Sequence, residues 1–247
     1  MMAPGTAMVW APYCGIAPTP AEVLARWNLD PPLVAGIGLA VAAVLWRSRP
    51  DQRPPALAAI AVLAAIFVSP LCALSAALFT ARTVHHLLLV AVAAPLLAWS
   101  LPRREASPLA LATIVSGALF WVWHAPGAYA AALSSDAVYW LMQASLLLGA
   151  AWFWVALRTA PTLQAVGALL AAMVQMGLLG ALITFAPAPL YAPHLGTTAA
   201  FGLTPLEDQQ IAGLIMWAPA AALYLFAALA VVGRRIGAGG AAGARPG

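Results

Sequence analysis

Long apolar runs alternate with short polar clusters along the whole chain. Seven such runs cover about residues 32–46, 55–79, 85–101, 108–124, 138–157, 163–185 and 211–232. Each has about 15–25 residues, enough at 1.5 Å per residue to cross or nearly cross a hydrocarbon core about 30 Å thick. None shows the strict alternation of a half-buried strand, so the pattern predicts an all-α, polytopic membrane helical bundle of about seven transmembrane helices. Residues 31–235 form its membrane domain, with residues 1–30 as an outer N-terminal tail and residues 236–247 as a flexible cytoplasmic tail.

Local signals refine this reading. Pro70 and Pro95 fall inside the second and third runs and predict kinks, because proline removes a backbone donor and clashes one turn back. Thr19-Pro20-Ala21-Glu22 has the N-cap, N1 and N3 residues of a short surface helix. The longest connection, Phe185 to Gln210, is rich in proline and glycine and reads as a functional or mobile loop. No basic n-region and cleavage pattern precedes the first run, so the N-terminal tail is expected to be retained.

The third run, RTVHHLLLVAVAAPLLAWSLPRR, is polarised, with His85 and His86 at one end and Arg103 and Arg104 at the other. The rest of the chain repeats that polarity. With the N-terminus outside and the C-terminus cytoplasmic, Arg47, Arg49, Arg53, Arg103, Arg104, Arg158, Arg234, Arg235 and Arg245 fall inside, and only Arg26 and Arg82 outside. That bias fixes the expected orientation. It places His85, His86, His124 and His194 on the outer side, with Glu22, Asp30, Asp136, Glu207 and Asp208.

Composition agrees: 64% of residues are hydrophobic and only 7% charged, against roughly 25% charged in a soluble domain. The net charge of +4 comes without a basic run interleaved with aromatics, so no nucleic-acid partner is expected. The two cysteines, Cys14 and Cys72, have no zinc-type spacing, and whether they pair is left open. No GxSxG, HExxH, P-loop or dinucleotide fingerprint is present, and the chain does not read as an enzyme.

The chemistry-bearing residues gather at the outer end. Neighbouring residues on a helix point about 100° apart, so at most one of His85 and His86 faces the bundle centre. Cys72, His86 and His124 lie at similar depth on consecutive runs and offer soft thiolate and imidazole donors suited to copper, with His85 as a further candidate ligand. Met173, Met176 and Met216 could add thioethers but read better as packing, and Gln143 as a helix–helix hydrogen bond with a secondary supporting role. Arg82, one turn before His86, is expected to hold Glu207 or Asp208 over the opening as a lid. His194, on the loop, is expected to matter less.

Four segments in this order, SPLCALSAALFTARTVHHLLLVAVAAPLLA, WVWHAPGAYAAAL, QASLLLGAAWFW and PLEDQQIAGLIMWAP, resemble the polytopic CtaG family of cytochrome c oxidase assembly factors. The resemblance implies a multi-pass protein of the bacterial cytoplasmic membrane that helps mature a haem–copper oxidase, handling copper at the outer face. The implied partners are oxidase subunits and the lipid bilayer, with a homo-oligomer also open. His86, His124 and Glu207-Asp208-Gln209-Gln210 carry over from the family pattern. Arg82 stands where relatives carry a first histidine, Cys72 where an acid is common and Gln143 where histidine is frequent. A haem-binding redox protein using His86 and His124, and a transporter of copper or a small solute, are the competing readings.

Overall fold

The computed structural model describes residue 10, residues 12–102 and residues 107–243, with side chains to Ile236. Arg103, Arg104 and Arg245, counted in the charge bias, lie outside the described residues. All regular structure among the described residues is helical. We number the helices α1 (Pro31–Arg47), α2 (Arg53–Val68), α3 (Pro70–Ala77) and α4 (Phe79–Ser100). They continue with α5 (Leu109–His124), α6 (Pro126–Ala132), α7 (Asp136–Thr159), α8 (Thr162–Thr184) and α9 (Pro205–Ile236). The last helix runs on to Gly243, past the end expected near residue 232.

Every apolar run is therefore helical, but the runs are not equal. Four helices among the described residues, α4, α7, α8 and α9, are long and apolar enough to span a membrane. The count rises to six if the bent pairs α2–α3 and α5–α6 each make one span, and α1 is a shorter apolar helix. The predicted break at Pro70 is present: α2 and α3 meet at 50°. Near Pro95 the break takes another form, a π-helical stretch over Leu88–Ala93. There the Ala94 N–H bonds to the Leu89 carbonyl, so in the same register the Val90 carbonyl would face Pro95, which has no proton to give. Trp154 of α7 supplies it, its indole N–H donating to the Val90 carbonyl at 3.1 Å. The Thr19–Glu22 signal yields only a 3-10 turn, Val23–Ala25, although Glu22 does accept from the Thr19 N–H.

Breaks in apolar helices expose backbone groups that need partners, since hydrocarbon offers none. At the α2–α3 break, Asn28 donates its backbone N–H to the Val68 carbonyl at 2.9 Å and its side-chain amide to the Phe67 carbonyl at 3.1 Å. A second break, between α3 and α4, has no proline: Leu78 is extended, with φ −125° and ψ 130°. Both sides of it are satisfied from far along the chain. Thr197 donates its hydroxyl to the Ala77 carbonyl at 2.6 Å. The Asp208 carboxylate accepts from the Phe79 N–H at 2.6 Å and the Thr80 N–H at 3.1 Å. The Thr80 hydroxyl then donates to the Asp208 carbonyl at 2.8 Å. The N-terminal segment and the long loop are thus the parts that complete the broken helices.

Helix α9 reaches that position because it crosses α8 with backbones in contact. A Cβ at Gly213 would lie 2.6 Å from the Gly180 carbonyl oxygen and 2.8 Å from the Thr184 nitrogen. Only glycine fits such a crossing.

Candidate functional site

Helix α4 starts at Phe79 rather than near residue 85, so His85 and His86 lie inside it and not at its mouth. Both are buried, as are Arg82, His124 and His194. The helical offset turns the adjacent pair to different neighbours, yet both face the interior where only one was expected to. His85 packs edge-on against Phe67 of α2, ring centres 5.0 Å apart. His86 turns the other way and meets His124 of α5 edge-on at 5.5 Å. The two histidine rings of α4 are 5.9 Å apart.

His124 is held in a defined state. Its Nδ1 lies 2.7 Å from the Phe120 carbonyl. A carbonyl only accepts, so Nδ1 carries the proton and, in the neutral ring, Nε2 keeps a lone pair. The Phe120 ring lies 4.3 Å from the imidazole, and Tyr191 of the loop donates its hydroxyl to the His124 carbonyl at 2.9 Å. Neither nitrogen of His86, nor of His85, has a hydrogen-bond partner. His86 and His124 are thus two buried imidazoles, on different helices, with donor atoms unused.

Arg82 does not hold a lid. Its guanidinium is fully buried and lies over the Tyr139 ring, 5.3 Å from the centroid, with Nη1 3.5 Å from the Tyr139 hydroxyl. Nε and Nη2 have no partner. The acids expected above it are engaged elsewhere. Asp208 caps α4, and Glu207, exposed, forms a capping box with Thr204 at the start of α9. Gln209 ties the ends of the loop together, accepting from the Leu190 N–H at 2.6 Å and donating to the Ile183 carbonyl at 3.1 Å.

Cys72 is corrected as well. Its sulfur is bonded to Cys14, so it offers no thiolate. The Cys72–His86–His124 set expected from the sequence is not assembled, and two imidazoles remain of it. Among the described residues, no group of three or more His, Cys, Asp or Glu is placed to hold a metal ion. Met176 and Met216 are core packing, and Gln143 is buried on α7 with both amide atoms unpaired.

The loop is a packed element, not a loose one. Tyr191 stacks on Phe79 at 3.7 Å, and His194 Nε2 shares a 2.7 Å hydrogen bond with the Tyr129 hydroxyl. Nothing in the sequence marks Tyr129, Tyr139 and Tyr191 as site residues, though Tyr129 stands in the segment WVWHAPGAYAAAL. His194 titrates far down, at about 3, first because burial disfavours the charged ring and then because Arg82 repels it. An unfolded imidazole titrates near 6.5, so between those values the unfolded chain binds more protons. Stability is then fully present above about pH 7 and falls as pH drops from about 6.5 towards 3. Thermal unfolding of the purified protein between pH 4 and 8 measures that slope. His194→Gln, which keeps a partner for Tyr129, flattens it; identical slopes in both proteins reject the assignment.

These features define a class: a polytopic helical membrane protein with a closed histidine–arginine–tyrosine cluster at one end, roofed by its N-terminal segment and one long loop. The sequence model of the cytochrome c oxidase caa3 assembly factors (Caa3_CtaG) matches residues 104–237, more than half of the chain, and the chain belongs to that family. The matched region holds His124, His194 and Asp208, whereas Arg82, His85 and His86 precede it. No curated protein and no solved structure matches the chain.

Proposed function

We propose that this assembly factor binds Cu(I) between His86 and His124 at the outer face of the bacterial cytoplasmic membrane and passes it to an oxidase subunit, without turnover of its own. The observation that carries the reading is the pairing of these buried imidazoles from two helices, 5.5 Å between centres, with His124 protonated on Nδ1 and His86 unpartnered. A d10 Cu(I) ion accepts two-coordinate imidazole ligation, so the lack of a third donor does not count against it. The neighbouring Arg82 opposes any cation in proportion to its charge and so favours a monovalent ion over Cu(II) or Zn(II).

The disulfide supports the orientation. Cys14–Cys72 lies at the histidine end of the bundle, and disulfides persist on the oxidising side of a membrane. The haem reading is weaker because a porphyrin held by both imidazoles needs a slot between them, and these rings pack directly on each other.

Deleting the gene is expected to lower cytochrome c oxidase activity in membranes from copper-limited cells, with added copper restoring part of it. His86→Ala and His124→Ala fail to complement the deletion at low copper. Normal oxidase activity in the deletion strain under copper limitation would remove the assembly role.

A further inference from the structure

A second feature lies outside the histidine cluster. Between α1, α2 and α7 a lateral cavity of about 470 Å³ opens along the bundle, within the size range of pockets that hold small organic ligands. Its walls are almost wholly apolar, with Gly36, Leu63, Phe67 and Trp140 among them. Helix α1, which forms one wall, has no buried residue of its own. It lies against the bundle without filling the space behind it.

One polar group interrupts the wall. Gln143 lines the cavity, is 2% exposed, and has hydrogen-bond partners for neither its carbonyl nor its amide nitrogen. A buried primary amide left unpaired is unfavourable, so a ligand with a matching polar atom has a place here. Beside it, Phe67 and Trp140 stack at 5.2 Å with planes 28° apart, and Tyr13 meets Trp140 edge-on at 4.9 Å. These rings suit a flat ring as ligand. The charge is also defined: among the described residues no cation lines the cavity, and Asp30 stands at its α1 end. An anionic headgroup has no counter-charge there and meets a carboxylate.

We infer that this groove binds a prenylated quinone. A quinone is flat and uncharged, carries carbonyl oxygens for the Gln143 amide to donate to, and has an apolar tail for the passage along α1. A phospholipid acyl chain would fill the apolar part but use neither the amide nor the stacked rings. The site shares no residue with the His86–His124 pair and stands or falls apart from the copper reading.

The test uses the full-length protein in detergent, titrated calorimetrically with a short-chain benzoquinone. Saturable binding is expected in the parent. Gln143→Leu removes the donor and weakens binding by roughly tenfold, the equivalent of one hydrogen bond. Gly36→Leu fills the groove and abolishes binding. A Cβ at Gly36 meets nothing within 4 Å, so this variant is expected to fold and unfold like the parent, which thermal unfolding checks. Absence of saturable binding in the parent overturns the proposal. Equal binding by parent and Gly36→Leu also overturns it, since the quinone is then dissolving in the micelle. Displacement by an equal concentration of phosphatidylglycerol overturns it too, by making the groove a lipid-tail site.

Discussion

Asp208→Ala is expected to cost about 3 kcal/mol, the loss from leaving one buried and one half-buried amide without an acceptor. Those amides, of Phe79 and Thr80, open α4, and at the buried Phe79 N–H water cannot replace the carboxylate. Asp208→Asn keeps one acceptor oxygen and is expected to lose about half as much. Glu207→Ala, one residue away, removes an exposed capping box and is expected to cost clearly less. A loss of thermal stability that is largest for Asp208→Ala, smaller for Asp208→Asn and smallest for Glu207→Ala is the signature of a cross-helix cap. Equal effects at both acids would show that Asp208 is not bearing the α4 terminus. Because α4 carries Arg82, His85 and His86, Asp208→Ala is also expected to disperse the histidine cluster.

Gly213→Val is expected to be as damaging, by about 3 kcal/mol or more, through overpacking against backbone that cannot rotate away. The obstacle is the carbonyl of Gly180 and the nitrogen of Thr184, both under 3 Å from an added Cβ. Gly180→Val faces the same crossing from the other side, meeting the Gly213 carbonyl at 2.7 Å. Gly167→Ala, on the same helix as Gly180 but with nothing within 4 Å, is the control and is expected to be neutral or stabilising by up to about 1 kcal/mol. Yield and unfolding temperature in detergent report all three. A Gly213→Val protein as stable as Gly167→Ala would mean that α8 and α9 do not cross in this way.

The apolar runs are legible in the sequence because each must cover a hydrocarbon thickness, and the bend at Pro70 because proline acts locally. The break at Leu78 is not, since Leu78 and Phe79 are ordinary helix residues. Its cause is tertiary: Thr197 and Asp208, more than a hundred residues away, take the backbone groups it frees. Glu207 and Asp208 look alike in sequence, yet one turns to the solvent-exposed first turn of α9 and the other to α4. That His85 and His86 turn to different neighbours follows from helical geometry alone, but that both are buried does not. The burial of His194 does not follow, because a proline- and glycine-rich composition does not reveal that Tyr191 stacks on Phe79 and draws the loop inward. Gly180 and Gly213 are two glycines among many, and only the crossing distinguishes them.

A Cu(I) site formed by His86 and His124 is tested most directly by titrating Cu(I) into the purified, disulfide-intact protein against a chromophoric chelator. One equivalent is expected to bind in the parent. His86→Ala and His124→Ala are each expected to lose most of that affinity, and His194→Ala less. The paired Cys14→Ser, Cys72→Ser protein should retain a copper site, because its sulfurs are not ligands. Copper binding that survives both histidine substitutions unchanged, or that disappears with the cysteines alone, would contradict the assignment.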